Sequence, residues 1–338
     1  MKRNDFVDYV QLYFTKFLTL QRGMSSNTVA SYSDAITLFL VFCAEKKKIR
    51  PEKLTFQRIN KSAVEEFCNW LETERNNSIS TRNQRLGVIH AFFSYAMIEE
   101  PACAALCRDI LSIGMKKQSQ VPPKYLSIDE LKLLLNMPDR ASPQGRRDIV
   151  LLTLLYDTAA RVQELIDLQV GDINFKSYPT VTLHGKGNKT RIVPIMPETA
   201  QMVEGYIKEN QLNGNTCNVI FTNRLGTKLT RAGINYILDK YIQKARDKSP
   251  DLFKVDVTPH TMRHSKASHL VQSNINIYYI RDFLGHASVK TTEIYATCNP
   301  EFTRKAIENA SIELTKDDGY YDVTKKDELL SFLKEYRR

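Results

Sequence analysis

Thr180-Val181-Thr182-Leu183-His184 and Arg191-Ile192-Val193-Pro194-Ile195 flank the polar segment Gly185-Lys186-Gly187-Asn188-Lys189-Thr190. The pattern predicts a β-hairpin, because β-branched residues favour strands and glycines permit a tight turn. The sequence around this hairpin has the apolar spacing of helices, and no strand pattern interrupts the first 115 residues. The protein is therefore predicted to be mainly α-helical, with a small antiparallel β-sheet in its second half.

The first 115 residues contain four stretches with apolar residues on one helical face. A capping box formed by Ser62 and Glu65 is predicted to start the third helix. The pattern predicts a four-helix bundle over residues 1–116. The apolar stripes are Phe6, Val10, Tyr13 and Phe17; Val29, Tyr32, Ile36, Phe39 and Cys43; Val64, Phe67 and Leu71; and Leu86, Ile89, Phe93 and Ala96.

Residues 117–124 are mostly polar, contain Pro122 and Pro123 and lack apolar periodicity, which is typical of an interdomain linker. Lys116 and Lys117 at its start either contact a phosphate backbone or belong to a solvated tether. A second domain is predicted over residues 125–310, with Ser127 and Glu130 as the capping box of its first helix.

Residues 311–338 are predicted to form a tail with a terminal helix. Its apolar stripe needs a covering surface, which either the same subunit or a neighbouring subunit could supply. We favour the neighbour as a hypothesis. The stripe consists of Leu329, Phe332, Leu333 and Tyr336.

The composition favours a polyanionic partner. The 48 lysines and arginines exceed the 38 acidic residues, giving a net charge of +10. Residues 1–120 and the remainder each contribute +5, so the excess is not confined to a tail. No unbroken apolar run approaches the ~18 residues of a membrane helix. The N-terminus also lacks the apolar core of a signal peptide, and these features predict a cytoplasmic protein.

Six cysteines occur without a CxxC pair, a pattern that predicts reduced, mostly buried thiols. Neither a zinc site nor a disulfide framework is expected. The turn Gly185-Lys186-Gly187 fits neither a P-loop nor a dinucleotide-binding motif, so no nucleotide cofactor is expected.

Five segments between residues 158 and 297 carry candidate chemistry. Arg161 precedes a helical turn and has Glu164 as a potential ion-pair partner. Lys186 lies between two glycines at the hairpin tip. Pro259 is predicted to start a helix on which His260 and Arg263 lie one turn apart. The remaining segments are Gly285-His286-Ala287-Ser288, where one helix ends and another begins, and Thr291-Thr292-Glu293-Ile294-Tyr295.

These residues resemble the signature of the tyrosine recombinases, also called the phage integrase family, and most closely the simple Xer-like type. The signature is Arg, Lys, His-x-x-Arg, His and Tyr. One departure is Ala159, where related sequences commonly have glycine. The resemblance spans nearly the whole chain and assigns the catalytic set Arg161, Lys186, His260, Arg263, His286 and Tyr295, with Glu164 in support.

The resemblance implies a mechanism in which Tyr295 attacks a DNA phosphate and forms a 3′-phosphotyrosine without a metal or other cofactor. Two arginine forks stabilise the phosphate in the transition state. A phenol with a pKa of about 10 needs a proton acceptor, for which His260 is the candidate. Lys186 is the candidate acid for the 5′ leaving oxygen, and His286 is expected to hydrogen-bond the phosphate.

The resemblance further implies a SAM-like N-terminal core-binding domain that closes around double-stranded DNA with the catalytic domain. A tetramer is expected on paired recombination sites, with strand exchange through a Holliday junction. Arg82 and Arg85 are either phosphate contacts or part of a solvated helix face. The predicted DNA-binding residues are Arg82, Arg85, Lys116, Lys117, Lys189 and Arg191.

Three alternatives remain at this point. A relaxing topoisomerase uses the same phosphotyrosine chemistry but reseals the strand that it cut. A DNA-binding accessory protein with an inactive site would retain the fold without the reaction. A metal-dependent nuclease or transposase would require clustered carboxylates, which the five segments do not supply.

Overall fold

The computed structural model describes residues 5–118, 123–185 and 189–296. Contacts divide the chain into two units, Met1–Gln120 and Val121–Arg338, and the division falls within the predicted linker. Each unit is described by itself. The predicted tail and its apolar stripe lie outside the described residues.

The described part of the first unit is helical, as its apolar spacing predicts. The helix after α4 was not predicted from the sequence. Helix α1 continues directly into π-helical turns at Tyr13–Gln21. The α-helices are α1 (Asp5–Leu12), α2 (Ser26–Lys46), α3 (Lys61–Thr73), α4 (Ile79–Glu99) and α5 (Ala104–Leu111).

Aromatic rings fill the core of this unit. Phe92 makes edge contacts with Phe6 and Tyr13, at centroid distances of 5.4 and 5.3 Å. Helix α2 is the one described helix that is long and apolar enough to cross a membrane. Its buried residues, including Phe39 and Phe42, pack into this core, as expected for the core helix of a folded domain.

The start of α3 corrects one sequence prediction. The N-cap is Asn60, whose side chain accepts a hydrogen bond from the Ala63 amide, so Ser62 lies inside the helix. The Ser62 hydroxyl instead donates to Glu66. Two residues with capping chemistry lie close together here, and their spacing alone did not indicate which one caps.

The second unit combines helices with a three-stranded antiparallel sheet in the order β1-β2-β3. The hairpin β2–β3 is confirmed, whereas the two-residue strand β1 was not predicted. The strands are β1 (Ile173–Asn174), β2 (Thr180–His184) and β3 (Thr190–Pro194). The helices are α6 (Ile128–Leu135), α7 (Pro143–Asp157), α8 (Val162–Ile166), α9 (Pro197–Glu209), α10 (Arg231–Lys248), α11 (Pro259–Gln272), α12 (Ile277–Leu284) and α13 (Lys290–Ala296).

The register of the hairpin directs its side chains. Val181 pairs with Val193, and both are fully buried, as is Leu183. Arg191, opposite Leu183, is only partly buried. Because the carbonyl of Phe283, near the end of α12, accepts a hydrogen bond from Arg191, the sheet is tied to this helix.

Capping residues fix the helices that carry the candidate chemistry. The predicted capping box of Ser127 and Glu130 is present at the start of α6. Thr258 caps α11, and Pro259 occupies its first turn. Gly285 ends α12 in the left-handed region with a φ of 64°, a conformation that glycine adopts without steric cost.

Candidate functional site

Arg263 lies at the centre of the site and is almost completely buried. Its guanidinium donates to the carbonyl of Ala159, at 2.7 Å, and to that of Leu284. These bonds join α11 to the segment before α8 and to the end of α12. Burial, together with the charges of Arg161 and Arg191, lowers the pKa of Arg263 to about 10, so it stays protonated at neutral pH.

Arg161 lies at the N-terminus of α8 and leaves about a third of its side chain exposed. Its guanidinium donates to Glu164 at 2.8 Å and to the carbonyl of Gly285 at 3.2 Å. Arg161 and Arg263 therefore reach neighbouring carbonyls of one turn, that of Gly285 and Leu284. Arg161 therefore forms an ion pair with Glu164 and also lies at the site.

Glu164 holds this arrangement together from a buried position. Both of its carboxylate oxygens accept a bond from Arg191 at 2.8 Å, in a bidentate pair, and the Arg161 amide donates to it as well. Burial acts to raise the pKa of this carboxyl, but the bonds from Arg191 and Arg161 outweigh it, and the pKa lies below its usual range. Glu164 thus holds Arg191 in place, while the predicted contact of Arg191 with a phosphate stays a prediction.

The two signature histidines lie beside these arginines. His260 is exposed, and burial of part of its ring together with the charges of Arg263 and Arg161 lowers its pKa. Burial and the charges of Arg263, Arg161 and Arg191 lower the pKa of His286 to about 4. Both imidazoles are therefore neutral at physiological pH and able to form hydrogen bonds without adding charge.

Tyr295 is buried against α11, with 3% of its surface exposed. Its hydroxyl lies 2.7 Å from Nδ1 of His264. Three residues earlier on α13, the fully buried Thr292 places its hydroxyl 2.9 Å from Nδ1 of His286. These two contacts fix α13 to the rest of the site.

The family signature assigns no role to His264 and Thr292, although both lie within the segments that carry the candidate chemistry. His264 directly follows Arg263 and lies one turn after His260. The proton acceptor expected for Tyr295 was His260, but the hydrogen bond that the structure describes for this hydroxyl goes to His264.

A cavity of about 560 Å³ opens beside these groups. The cavity is lined by the basic side chains of Arg161, Arg191 and Lys189, by His286, and by the acidic side chain of Asp282. Lys186 lies outside the described residues, as do Gly187 and Asn188, but the described residues on either side of this gap, Gly185 and Lys189, both line the cavity. A Cβ on Gly185 would lie 3.2 Å from Glu164 Oε1, so this glycine lets the hairpin approach the buried carboxylate closely.

The predicted DNA contacts in the first unit need one correction. Arg82 is buried; its guanidinium donates to the Asn83 side chain, and its Nε lies 3.6 Å from a Glu72 oxygen. Arg82 is therefore not accessible to a phosphate, contrary to the prediction. Arg82 lies four residues before Leu86, which places it on the apolar face of α4.

The other predicted contacts are more accessible. Arg85 is only partly buried, and Lys117 and Lys189 are exposed. Lys116 is also exposed, but its ammonium lies 2.8 Å from Glu72, so a phosphate would compete with that carboxylate. Among the described residues, no group of three or more histidine, cysteine or acidic side chains is placed to hold a metal ion.

Comparison with known proteins identifies both units. The model of the phage integrase family matches residues 124–301, and the model of the phage integrase N-terminal SAM-like domain matches residues 12–100. Tyrosine recombinase XerC of Herpetosiphon aurantiacus is 31% identical over 286 residues, covering 83% of this chain and 88% of that protein. Tyrosine recombinase XerD of Staphylococcus haemolyticus is 29% identical over 285 residues, covering 83% of this chain and 91% of that protein.

Solved structures share the fold at lower identity. The XerH site-specific recombinase bound to difH substrate, in a post-cleavage complex, has a TM-score of 0.67 and 21% identity, covering 86% of this chain and 81% of that one. The Tn1549 transposon integrase in complex with transposon right end DNA has a TM-score of 0.70 and 16% identity, covering 89% and 99%. The chain belongs to the phage integrase family and is a tyrosine-type site-specific DNA recombinase.

Proposed function

We propose that this recombinase cleaves DNA by attack of Tyr295 on a phosphodiester bound beside Arg161 and Arg263, and that it rejoins the strand to a different end. The observation that carries the proposal is the convergence of both arginines on the turn of Leu284 and Gly285. That turn leads directly into His286, whose ring contacts Thr292 on the helix of Tyr295. Four separated segments are thereby joined, and two of them line the cavity through Arg161 and His286.

The arginines supply the positive charge that the transition state requires. A guanidinium can donate two parallel hydrogen bonds to phosphate oxygens, a geometry that a lysine ammonium lacks. Arg263 is already held by backbone carbonyls, so little reorganisation accompanies the reaction. His260 and His286, as neutral donors, complete the set of groups around the phosphate.

Attack by the Tyr295 oxygen forms the bond to phosphorus and breaks the bond to the 5′ oxygen. The product is a 3′-phosphotyrosine and a free 5′ hydroxyl, and this linkage stores the energy needed for rejoining. We assign the proton for the leaving oxygen to Lys186. The cavity-lining positions of Gly185 and Lys189 support this assignment, as does the lysine in the family signature.

The partner in this proposal is double-stranded DNA with a specific recombination site. The net charge of +5 in each part of the chain supports it, as do the DNA-bound complexes of XerH and the Tn1549 integrase. Assembly as a tetramer on paired sites, with a Holliday junction intermediate, accords with the family. A cytoplasmic location is part of the same proposal.

The test is covalent trapping on a nicked suicide duplex that carries the recombination site, in the presence of EDTA. The wild-type protein is expected to form a covalent adduct, and Tyr295→Phe should form none while binding the duplex with unchanged affinity. Tyr178→Phe, at an exposed position, is the matched control and should trap DNA at the wild-type rate. An adduct that persists in Tyr295→Phe, or one that disappears with EDTA, would overturn the proposal.

The same assay separates the alternative functions. An inactive accessory protein would bind the duplex without an adduct. A relaxing topoisomerase would form the adduct but would yield no product in which strands from two different duplexes are joined. Joint molecules between two labelled duplexes are the expected result.

A further inference from the structure

His264 stands in direct contact with the reacting atom, although it belongs to none of the signature positions. Its Nδ1 lies 2.7 Å from the hydroxyl of Tyr295, a short distance for a hydrogen bond between these atoms. The two rings also pack together, with centroids 5.6 Å apart and planes tilted by 49°. The nucleophile is thus held by an imidazole rather than exposed to solvent.

We propose that His264 is the catalytic base of the cleavage step, accepting the proton of the Tyr295 hydroxyl on Nδ1. The inference rests on the proposed function and adds the proton acceptor to it. The hydrogen of the neutral imidazole then resides on Nε2, which leaves the Nδ1 lone pair directed at the phenol.

The proton balance of the step is complete. The O–H bond of Tyr295 breaks, its proton passes to Nδ1 of His264, and the phenolic oxygen bonds to phosphorus. The bond from phosphorus to the 5′ oxygen breaks, and that oxygen takes the proton assigned above to Lys186. In the rejoining step, the 5′ hydroxyl gives its proton back to the neutral amine of Lys186, and its oxygen bonds to phosphorus. The bond from phosphorus to the Tyr295 oxygen breaks, and the imidazolium of His264 returns its proton to that oxygen.

The surroundings of His264 keep its ring neutral before the reaction. Burial is the main cause of its lowered pKa, and the nearby ring of His260 and the charge of Arg263, both on the same helix, add to it. From the other elements, the Tyr295 hydroxyl on α13 contacts it, and His286 in the turn after α12 interacts with it electrostatically. A neutral imidazole has a free lone pair at neutral pH, as a base requires.

His260, one turn earlier on α11, is placed for a different task. Its ring centroid lies 6.5 Å from that of His264, and the charges of Arg263 and Arg161 act on it directly. The exposed His260 therefore faces the arginines that hold the phosphate, whereas the partly buried His264 faces the nucleophile. Helix α11 thus carries the phosphate contact and the base on successive turns.

A purely structural role for His264 would be to satisfy the hydroxyl of a buried tyrosine. The two roles differ in what they change. A structural contact affects the stability of the site and lowers the cleavage rate equally at every pH. A base affects the pH dependence of cleavage, because its loss leaves the phenol to ionise by itself.

The experiment measures the single-turnover rate of covalent adduct formation on the suicide duplex from pH 6 to pH 9. In His264→Asn, the amide occupies the position of Nδ1 and keeps a hydrogen bond, but it does not accept a proton. The expected result is a loss of about 10²–10⁴-fold in rate at pH 7, in the range of general base catalysis. The rate of the variant should then rise tenfold per pH unit, while the wild-type rate levels off.

Two further measurements complete the test. His260→Asn is the matched control on the same helix, and it should lower the rate without steepening the pH profile. A fluorinated tyrosine at position 295, with a lower phenol pKa, should restore adduct formation in His264→Asn by a larger factor than it accelerates the wild type. If His264→Asn fails to fold, fluorotyrosine at position 295 in the protein that keeps His264 still gives a test. A strong acceleration of adduct formation in that protein means that no base assists the phenol, and it overturns the proposal.

The remaining outcomes also decide. A His264→Asn rate within about 3-fold of the wild type, or a loss of rate that is equal at every pH, overturns the role of His264 as the base but leaves the proposed function standing. An absence of adduct in the wild type at every pH instead overturns the proposed function.

Discussion

In the first unit, the buried interior is built from aromatic rings, with Phe92 in edge contact with Phe6 and Tyr13, whereas the site of the second unit buries Arg263 and Glu164. A ring in the first unit stabilises the fold mainly through the apolar area that it removes from water, and this area does not depend on one direction of contact. The charged groups of the site are fixed by specific bonds to carbonyls and carboxylate oxygens. The aromatic interior of the first unit therefore mainly stabilises the fold, whereas the buried charged groups of the second unit fix the positions of the site residues.

The largest expected effect tests the aromatic interior. Phe92→Ala should destabilise the first unit by about 3–5 kcal/mol, because a large ring is removed from a packed core. Denaturant unfolding followed by the fluorescence of Trp70, the one tryptophan of the chain, reports on this unit. Leu20→Ala, at an exposed position, is the control and should change stability by less than about 0.5 kcal/mol. A loss below about 1 kcal/mol for Phe92→Ala would contradict the comparison.

The next effect tests the charged interior. Arg263→Lys keeps the positive charge but loses the fork, and adduct formation on the suicide duplex should slow by about 10²–10³-fold. The unfolding transition of Trp70 should stay where it is, since that residue belongs to the other unit. Arg140→Lys, an exposed position, should react at the wild-type rate. A rate within a few-fold of the wild type for Arg263→Lys would show that charge alone suffices.

A smaller effect concerns the pH dependence of stability. His286 has a pKa of about 4 in the folded protein, caused by burial and by Arg263, Arg161 and Arg191, whereas an unfolded histidine titrates near 6.5. Between these values the unfolded state binds more protons, so the folded state loses stability as the pH falls from about 7 to 4. His286→Gln removes this contribution, and its stability, followed by circular dichroism, should fall less steeply over that range. A constant offset from the wild type would contradict this origin of the slope.

The smallest effect concerns Ala159, which occupies the left-handed region with a φ of 47° and is fully buried. Ala159→Gly relieves about 1–2 kcal/mol of backbone strain but loses a buried methyl and gains unfolded-state entropy. These contributions nearly cancel, so stability should change by less than about 1 kcal/mol. Ala267→Gly, equally buried but inside α11, has no strain to relieve and should destabilise by about 1.5–2 kcal/mol. Equal losses in the two variants would mean that Ala159 is unstrained.

The comparison also explains what the sequence could predict. Apolar stripes indicated α1 to α4, and the β-branched stretches indicated the hairpin, because both patterns depend on local spacing. Strand β1 has two residues, too few for a periodic signal. Arg82 shows that a charged residue on an apolar face is placed better by its spacing from Leu86 than by its charge.

Long-range hydrogen bonds escaped prediction for a physical reason. The signature motifs indicated which residues gather at the site, but the pairing of His264 with Tyr295 joins positions 31 residues apart in the chain. Nothing in the local spacing distinguishes His260 from His264 as the partner, since both lie on α11 one turn apart. Only the position of α13 against that helix selects between them.

The most direct test of the account is the identity of the residue joined to DNA. Wild-type protein trapped on the suicide duplex is digested with nuclease and protease, and the peptide that carries the nucleotide is sequenced by mass spectrometry. The expected result is a single phosphotyrosine linkage at Tyr295. A linkage at any other of the 16 tyrosines, or at a serine, would contradict the assignment of the nucleophile and of the site built around it.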